Sequence, residues 1–164
     1  MNKVCKCHDL GYDKFDSISK KELANPISLT QVVNDSFSNF IMINEIKNSE
    51  NASLKEVFSK LKGQVGVYCL WLYITDCPVH DKQKFECLYV GKGDVVKRLK
   101  EHFEEKWSYP KIIHITFFEC ENRIAKYIEQ LCLDTFEFAY NSKENCGTGK
   151  LYAMWSQERG DGIE

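Results

Sequence analysis

The sequence predicts an α/β (α+β) fold in which a small, three-stranded antiparallel sheet is flanked by helices. Three runs rich in β-branched and aromatic residues, at 65–74, 85–90 and 111–120, have the composition and length of strands. Two segments that begin near 94 and 122 carry apolar residues three and four positions apart, the periodicity of amphipathic helices. A hydrophobic content of 43% is enough to form a buried core between these layers.

The N-terminal segment, residues 1–62, is predicted to be a mainly helical extension of this core. Mixed periodicity and turn-forming dipeptides indicate one or two short helices before a clearer helix at 53–62. Ser53, with Glu56 three residues later, matches a capping box, and Gly63 is suited to end that helix.

The first two strands are predicted to form a hairpin with a long connection. The segment 75–84 between them is polar, contains a proline and is predicted to be a loop. The second strand is followed by Gly91-Lys92-Gly93, predicted to be a turn, and by Asp94, predicted to be the N-cap of the first amphipathic helix. The inward-facing residues of that helix are expected to be Val96, Leu99 and Phe103.

The third strand, 111–120, leads into a longer helix predicted at 122–139, whose apolar stripe includes Ile128 and Leu131. Beyond it the sequence is typical of loops, apart from a short apolar patch near the end. We therefore expect an extension at 1–62, a core at 63–145, and a C-terminal tail at 146–164 that packs on or near the core.

Charge and signal features predict an intracellular, cytoplasmic protein with no membrane segment. The N-terminus has no apolar run of the kind found in signal peptides, and the longest apolar stretch is too short to span a bilayer. The formal net charge is −2, but residues 82–126 hold ten Lys and Arg against seven Asp and Glu. A locally basic middle in an acidic chain is compatible with nucleic-acid contact.

The eight cysteines are predicted to be reduced thiols, because they are scattered and several lie in apolar strands or a helix. Cys5, Cys7 and His8 are of zinc-ligand type. They show no matching second pair downstream, so a frayed terminus is expected there and zinc binding is the alternative.

Several polar residues are not explained by packing alone. Arg98 and His102 lie four positions apart on one helix and share a face. Glu129 lies in mid-helix beside an apolar stripe, where a carboxylate is costly unless it is paired or binds a cation. Tyr68 and Tyr89 lie on neighbouring strands. Each residue alone is typical of an ordinary structural or solvent-exposed position, so only their combination suggests a site.

Gly66-Val67-Tyr68 followed by Tyr89-Val90-Gly91 resembles the pair of motifs that gives the GIY-YIG nuclease family its name. In that family the two motifs lie on the first two strands of a three-stranded antiparallel sheet. The resemblance extends over about 63–141. The other residues that match the pattern, in order, are Lys92, Arg98, His102, Glu129 and, twelve residues later, Asn141.

The resemblance implies a metal-dependent endonuclease that hydrolyses phosphodiester bonds in DNA. Tyr68 would be the general base, Arg98 would hold a phosphate oxygen, and Glu129 would bind one Mg²⁺ or Mn²⁺ ion. Because a phenol has a pKa of about 10, positive charge is needed nearby, and Lys92 would supply part of it.

The remaining matched residues have supporting roles by the same resemblance. His102 and Tyr89 would position the phosphate or the attacking water, and Asn141 would orient Glu129 or the neighbouring backbone. The alternatives are an RNA-cleaving enzyme of the same fold and a catalytically inactive module that binds nucleic acid. Because the chain is short, substrate specificity could depend on a homodimer or on a partner protein.

Overall fold

The computed structural model describes residues 5, 7, 10–34, 37–42, 58–105, 112–141 and 145–156, with only the backbone described for 37–42, 102–105 and 112. In chain order its elements are α1 (Asp13–Glu22), α2 (Leu29–Asn34), β1 (Phe37–Met42), β2 (Val65–Asp76), β3 (Gln83–Asp94), α3 (Val95–Glu105), β4 (Ile112–Glu119), α4 (Asn122–Thr135) and β5 (Tyr152–Trp155). The predicted mixed class, with helices flanking an antiparallel sheet, is confirmed.

The sheet has five strands in the order β1-β4-β2-β3-β5, and every neighbouring pair is antiparallel. The prediction of three strands is therefore wrong, because β1 and β5 add a strand at each side. Strand β1 lies in the segment predicted to be mainly helical, and β5 has only four residues. Both form by pairing with chain segments far away in sequence, β1 with β4 and β5 with β3, which local composition does not reveal.

The hairpin of β2 and β3 is longer than predicted. The ladder runs from the pair Val65 and Asp94 to the pair Asp76 and Gln83, so the connecting loop shrinks to 77–82. Gly91-Lys92-Gly93 is part of β3 and not a turn. These residues find partners because β2 begins as early as Val65, and the strand ends only after Gly93, which has a positive φ of 104°.

The two faces of the sheet carry separate apolar cores. Alternation along β2 sends Val67, Cys69 and Trp71 to one face, while Tyr68 and Leu70 point to the other. The first face is covered by α1, α2 and α4, whose buried residues include Phe15, Leu29, Val32, Ala125 and Ile128. The second is covered by α3 and by a helical turn at 58–61, through Val95, Leu99 and Leu61.

Helix α3 begins as predicted, since Oδ1 of Asp94 accepts a hydrogen bond from the amide of Lys97 at 3.2 Å. Its buried stripe starts one residue earlier than expected, at Val95, which is fully buried, whereas Val96 is only partly buried. Leu99 is fully buried as predicted, and the side chain of Phe103 lies outside the described residues.

Helix α4 ends at Thr135, four residues before the predicted end. The backbone turns extended at Phe136, and the amide of Glu137 then donates to the carbonyl of Gly149. Pairing with a distant segment thus replaces the last turn of the helix. Of the helix predicted at 53–62, residues 53–57 lie outside the described part. Residues 58–61 are helical, and Gly63 follows with a φ of 76°.

None of the helices in the described part of the chain is both long enough and apolar enough to cross a membrane.

Candidate functional site

The tyrosines of the two motifs form one ring pair on the face of the sheet covered by α3. Their ring centroids lie 5.8 Å apart at an interplanar angle of 29°. The tip of the Tyr68 ring lies over Gly91, where an added Cβ would lie 2.5 Å from the phenol oxygen and 2.7 Å from Cε1 of Tyr89. The glycine that ends the second motif is therefore required because the tyrosine of the first motif occupies its side-chain space.

The two phenols differ in their contact with solvent. Tyr68 is only 1% exposed, whereas Tyr89 is partly buried. Burial is the largest cause that raises the pKa of Tyr68, followed by the nearby Tyr89. Burial also raises the pKa of Tyr89. A hydrogen bond between the two hydroxyls raises the pKa of Tyr68 and lowers that of Tyr89, as expected if Tyr68 donates and Tyr89 accepts.

Arg98 and Glu129 lie within electrostatic range of both phenols. The guanidinium of Arg98 lowers the pKa of Tyr68 and of Tyr89, whereas the carboxylate of Glu129 raises both. These residues come from two strands and two helices that are separated in sequence. Arg98 and Glu129 thus both act electrostatically on the tyrosine pair, although α4, which carries Glu129, packs on the opposite face of the sheet.

Arg98 is accessible on the surface of α3. Its side chain is 57% exposed and lies 3.8 Å from the carboxylate of Glu101, one turn along the helix. Ion pairs between exposed side chains contribute about 0–1 kcal/mol. This weak contact leaves the guanidinium available to a stronger anion.

Asn141 makes a two-bond clamp on the second motif. Its Oδ1 accepts from the amide of Val90 at 3.1 Å, and its Nδ2 donates to the carbonyl of Val90 at 3.0 Å. Strand β5 pairs with β3 only at 83–86, so at Val90 the asparagine takes the place of a neighbouring strand. Of the two roles expected for Asn141, these bonds match contact with the neighbouring backbone.

Lys92 is not brought to the face that holds the phenols. It pairs with Val67, whose side chain lies in the core on the opposite face from Tyr68. In the described structure, Arg98 is the cation that acts on the tyrosine pair. His102 lies in α3 one turn after Arg98, but its side chain lies outside the described residues, so its role stays a prediction.

A second group of side chains, all of metal-ligand type, was not expected from the sequence. Cys5 and Cys7 lie beside Cys77 and His80 of the β2–β3 loop, and the ligand atoms of all four lie within 4.8 Å of one another. The expectation of a cysteine pair without a downstream partner is therefore wrong, because the fold supplies the second pair from a loop 70 residues away. The spacing Cys77-x-x-His80 was the signal that could have found it. His8 lies outside the described residues.

No family model matches the sequence, and comparisons with curated proteins and with solved structures also gave no match.

Proposed function

We propose that this chain is a metal-dependent endonuclease that hydrolyses phosphodiester bonds in DNA. The observation that carries the proposal is the grouping of Tyr68, Tyr89, Arg98 and Glu129, in which two hydrogen-bonded phenols lie under the influence of one guanidinium and one carboxylate. Phosphodiester hydrolysis requires a base for the attacking water and positive charge for the phosphate oxygens. The grouping contains residue types for both tasks.

Tyr89 is the better candidate for direct contact with the attacking water. A general base has to lie within hydrogen-bond reach of that water, and Tyr68, the base implied by the resemblance, is only 1% exposed. Tyr89 is more exposed, and its oxygen accepts a hydrogen bond from the Tyr68 hydroxyl. This bond stabilises the phenolate of Tyr89. In this proposal Tyr89 takes the proton from water, and Tyr68 supports it as a donor.

Arg98 is assigned to a non-bridging oxygen of the scissile phosphate. Its planar guanidinium suits bidentate binding of phosphate, and its exposed ion pair with Glu101 costs little to exchange. The same guanidinium already lowers the pKa of Tyr89, so one residue serves both the base and the phosphate.

Glu129 is assigned to a Mg²⁺ or Mn²⁺ ion. A single carboxylate fits this role, since Mg²⁺ is often bound by only one or two carboxylates, with waters and substrate phosphates as its other ligands. Without a cation the Glu129 carboxylate raises the pKa of Tyr89, which opposes formation of the phenolate. When bound, the ion would supply positive charge for the phosphate and offset this carboxylate.

The experiment is cleavage of supercoiled plasmid by the full chain with Mg²⁺ or Mn²⁺, with and without EDTA. We expect cleavage that EDTA abolishes, that Glu129→Gln loses because the metal ligand is gone, and that Tyr89→Phe reduces by about 10²–10⁴-fold, the usual contribution of a positioned base. Tyr68→Phe should have a smaller effect, because Tyr68 acts through Tyr89.

Two matched substitutions serve as controls. Glu121→Gln removes an exposed carboxylate just before the same helix, and Tyr73→Phe removes a hydroxyl from an exposed ring on the same strand as Tyr68. Both should cleave like the wild type. Undiminished cleavage by Glu129→Gln would exclude the assigned metal ligand. Cleavage of RNA but not DNA would identify RNA as the substrate. Binding of nucleic acid without cleavage under any metal would contradict an enzymatic function and favour a binding module.

A further inference from the structure

Four metal-ligand side chains from two remote segments meet at the end of the sheet that carries the β2–β3 loop. The Sγ atom of Cys77 lies 3.3 Å from Sγ of Cys5 and 2.8 Å from Sγ of Cys7. Nδ1 of His80 lies 3.5 Å from Sγ of Cys5 and 3.6 Å from Sγ of Cys77. The group is separate from the tyrosine pair and has no part in the proposed hydrolysis.

Three of these four separations lie within about half an ångström of the edges of a tetrahedral zinc site. Two thiolates bound to zinc at about 2.3 Å lie about 3.8 Å apart, and a thiolate and an imidazole nitrogen lie about 3.5 Å apart. The two sulfur–nitrogen distances agree with this geometry, as does the Cys5–Cys77 distance to within about half an ångström. The contact between Cys7 and Cys77 has to open by about 1 Å.

The backbone is already arranged to support thiolate ligands. The amides of Val79 and His80 both donate to Sγ of Cys77, at 3.4 and 3.3 Å, and the amide of Cys7 donates to Sγ of Cys5 at 3.3 Å. Such outer bonds fix the orientation of metal ligands and offset their charge. The loop itself is closed by the bond from the amide of Cys77 to the carbonyl of Lys82 at 2.8 Å.

The chemistry of the ligands selects the metal. Three sulfurs and one imidazole suit zinc, whereas Mg²⁺ and Mn²⁺ prefer oxygen. A disulfide is not formed, since all three cysteines are free and their sulfurs are further apart than the roughly 2.05 Å of a covalent bond. Four protein ligands leave no open position, which is typical of structural sites rather than catalytic ones.

We propose that Cys5, Cys7, Cys77 and His80 form a structural zinc site that fastens the N-terminal segment to the β2–β3 loop. The zinc site would join chain positions about 70 residues apart. It would hold the start of the chain beside the hairpin that carries the two tyrosine motifs. Its ion is distinct from the Mg²⁺ or Mn²⁺ assigned to Glu129.

The test is the metal content of the full chain, purified without chelators and measured by plasma mass spectrometry. We expect one zinc per chain in the wild type and in Cys146→Ser, which removes an exposed cysteine outside the group. Cys77→Ser and His80→Ala should lose most of the zinc. Zinc retained at the wild-type level in both variants would overturn the proposal.

A second measurement does not depend on the folding of a variant. Wild-type protein reconstituted with Co²⁺ should show an intense visible d–d band and a near-ultraviolet thiolate-to-cobalt band, both removed by added Zn²⁺. Weak bands of an octahedral ion would overturn the proposal. So would a non-reducing thiol titration in denaturant that finds two cysteines missing, because that result indicates a disulfide.

Discussion

Replacing Asn141 by alanine tests whether the edge of β3 has to be held for the tyrosine pair to function. The side chain makes two bonds to Val90, the residue between Tyr89 and Gly91 in the second motif. Val90 is fully buried, so neither its amide nor its carbonyl has ready access to replacement water. Alanine would leave both groups without these partners.

The expected cost follows from those two bonds. An intramolecular hydrogen bond contributes about 0.5–1.5 kcal/mol net, and a buried group left unpaired costs about 1–3 kcal/mol. Asn141→Ala should therefore lower the free energy of unfolding by about 2–3 kcal/mol. For a chain of this length that corresponds to a decrease in Tm of about 4–12 °C.

Asn145 provides a matched control in the same loop. Its Oδ1 accepts from the amide of Phe138 at 3.1 Å and its Nδ2 donates to the carbonyl of Phe138 at 2.8 Å, the same pattern at a buried residue. Its Nδ2 also lies 3.4 Å from the carbonyl of Asn141, a longer contact that Asn141→Ala leaves in place because it involves the backbone. Asn145→Ala should cost a similar free energy, measured for both variants by urea denaturation and thermal melting. Phe138 is not part of a motif, so the two variants separate stability from function.

The decisive comparison is plasmid cleavage at a temperature where both variants are fully folded. Asn141→Ala should cleave more slowly than Asn145→Ala, because of the two asparagines Asn141 is the one whose side chain bonds to the second motif, at the residue next to Tyr89. Equal activities would show that the clamp acts on stability alone. A wild-type melting temperature for Asn141→Ala would contradict the assigned energies.

Two further predictions concern the tyrosine pair. Gly91→Ala should destabilise the fold and disturb the pair, because its Cβ would lie 2.5 Å from the Tyr68 phenol. At Gly93 an added Cβ meets no atom and the only obstacle is the positive φ, so Gly93→Ala should lower the free energy of unfolding by only about 1–2 kcal/mol, measured by thermal melting. Equal losses of stability in Gly91→Ala and Gly93→Ala would refute the packing argument. In the folded state the pKa of Tyr68 is raised, mainly by burial, so the native chain keeps a proton that the unfolded chain loses above about pH 10. The free energy of unfolding should therefore fall with rising pH above about pH 10. Measured by urea denaturation, the free energy of unfolding of Tyr68→Phe should fall less steeply, by about 1.4 kcal/mol per pH unit. Equal slopes for Tyr68→Phe and the wild type would contradict the raised pKa.

Local signals predicted the central elements because those elements depend on short-range chemistry. Three strands are evident from their β-branched and aromatic content, and the capping of α3 by Asp94 is evident from one residue type at one position. Periodicity also found α4 but misplaced its end, since Glu137 bonds to Gly149 and that partner cannot be inferred from neighbouring residues.

The candidate site, too, was predicted in part from the sequence and in part only from the structure. The order of Tyr68, Tyr89, Arg98 and Glu129 along the chain suggested a common chemistry, and in the fold Arg98 and Glu129 each shift the pKa of both phenols. Which phenol is accessible could not be predicted from the sequence, because both tyrosines lie on paired strands and neither strand pattern shows which ring is covered by other elements. Burial against α3 makes the difference.

By itself the sequence determined the elements of the central hairpin, the two long helices and the residue types available for chemistry, because strand composition, helical period and capping act over a few residues. Only the tertiary structure decided the five-strand order, the face on which Lys92 lies and the meeting of Cys5 and Cys7 with Cys77 and His80. Those features depend on backbone pairing and loop closure between segments tens of residues apart, and no short stretch of sequence specifies the partner of a strand or of a metal ligand.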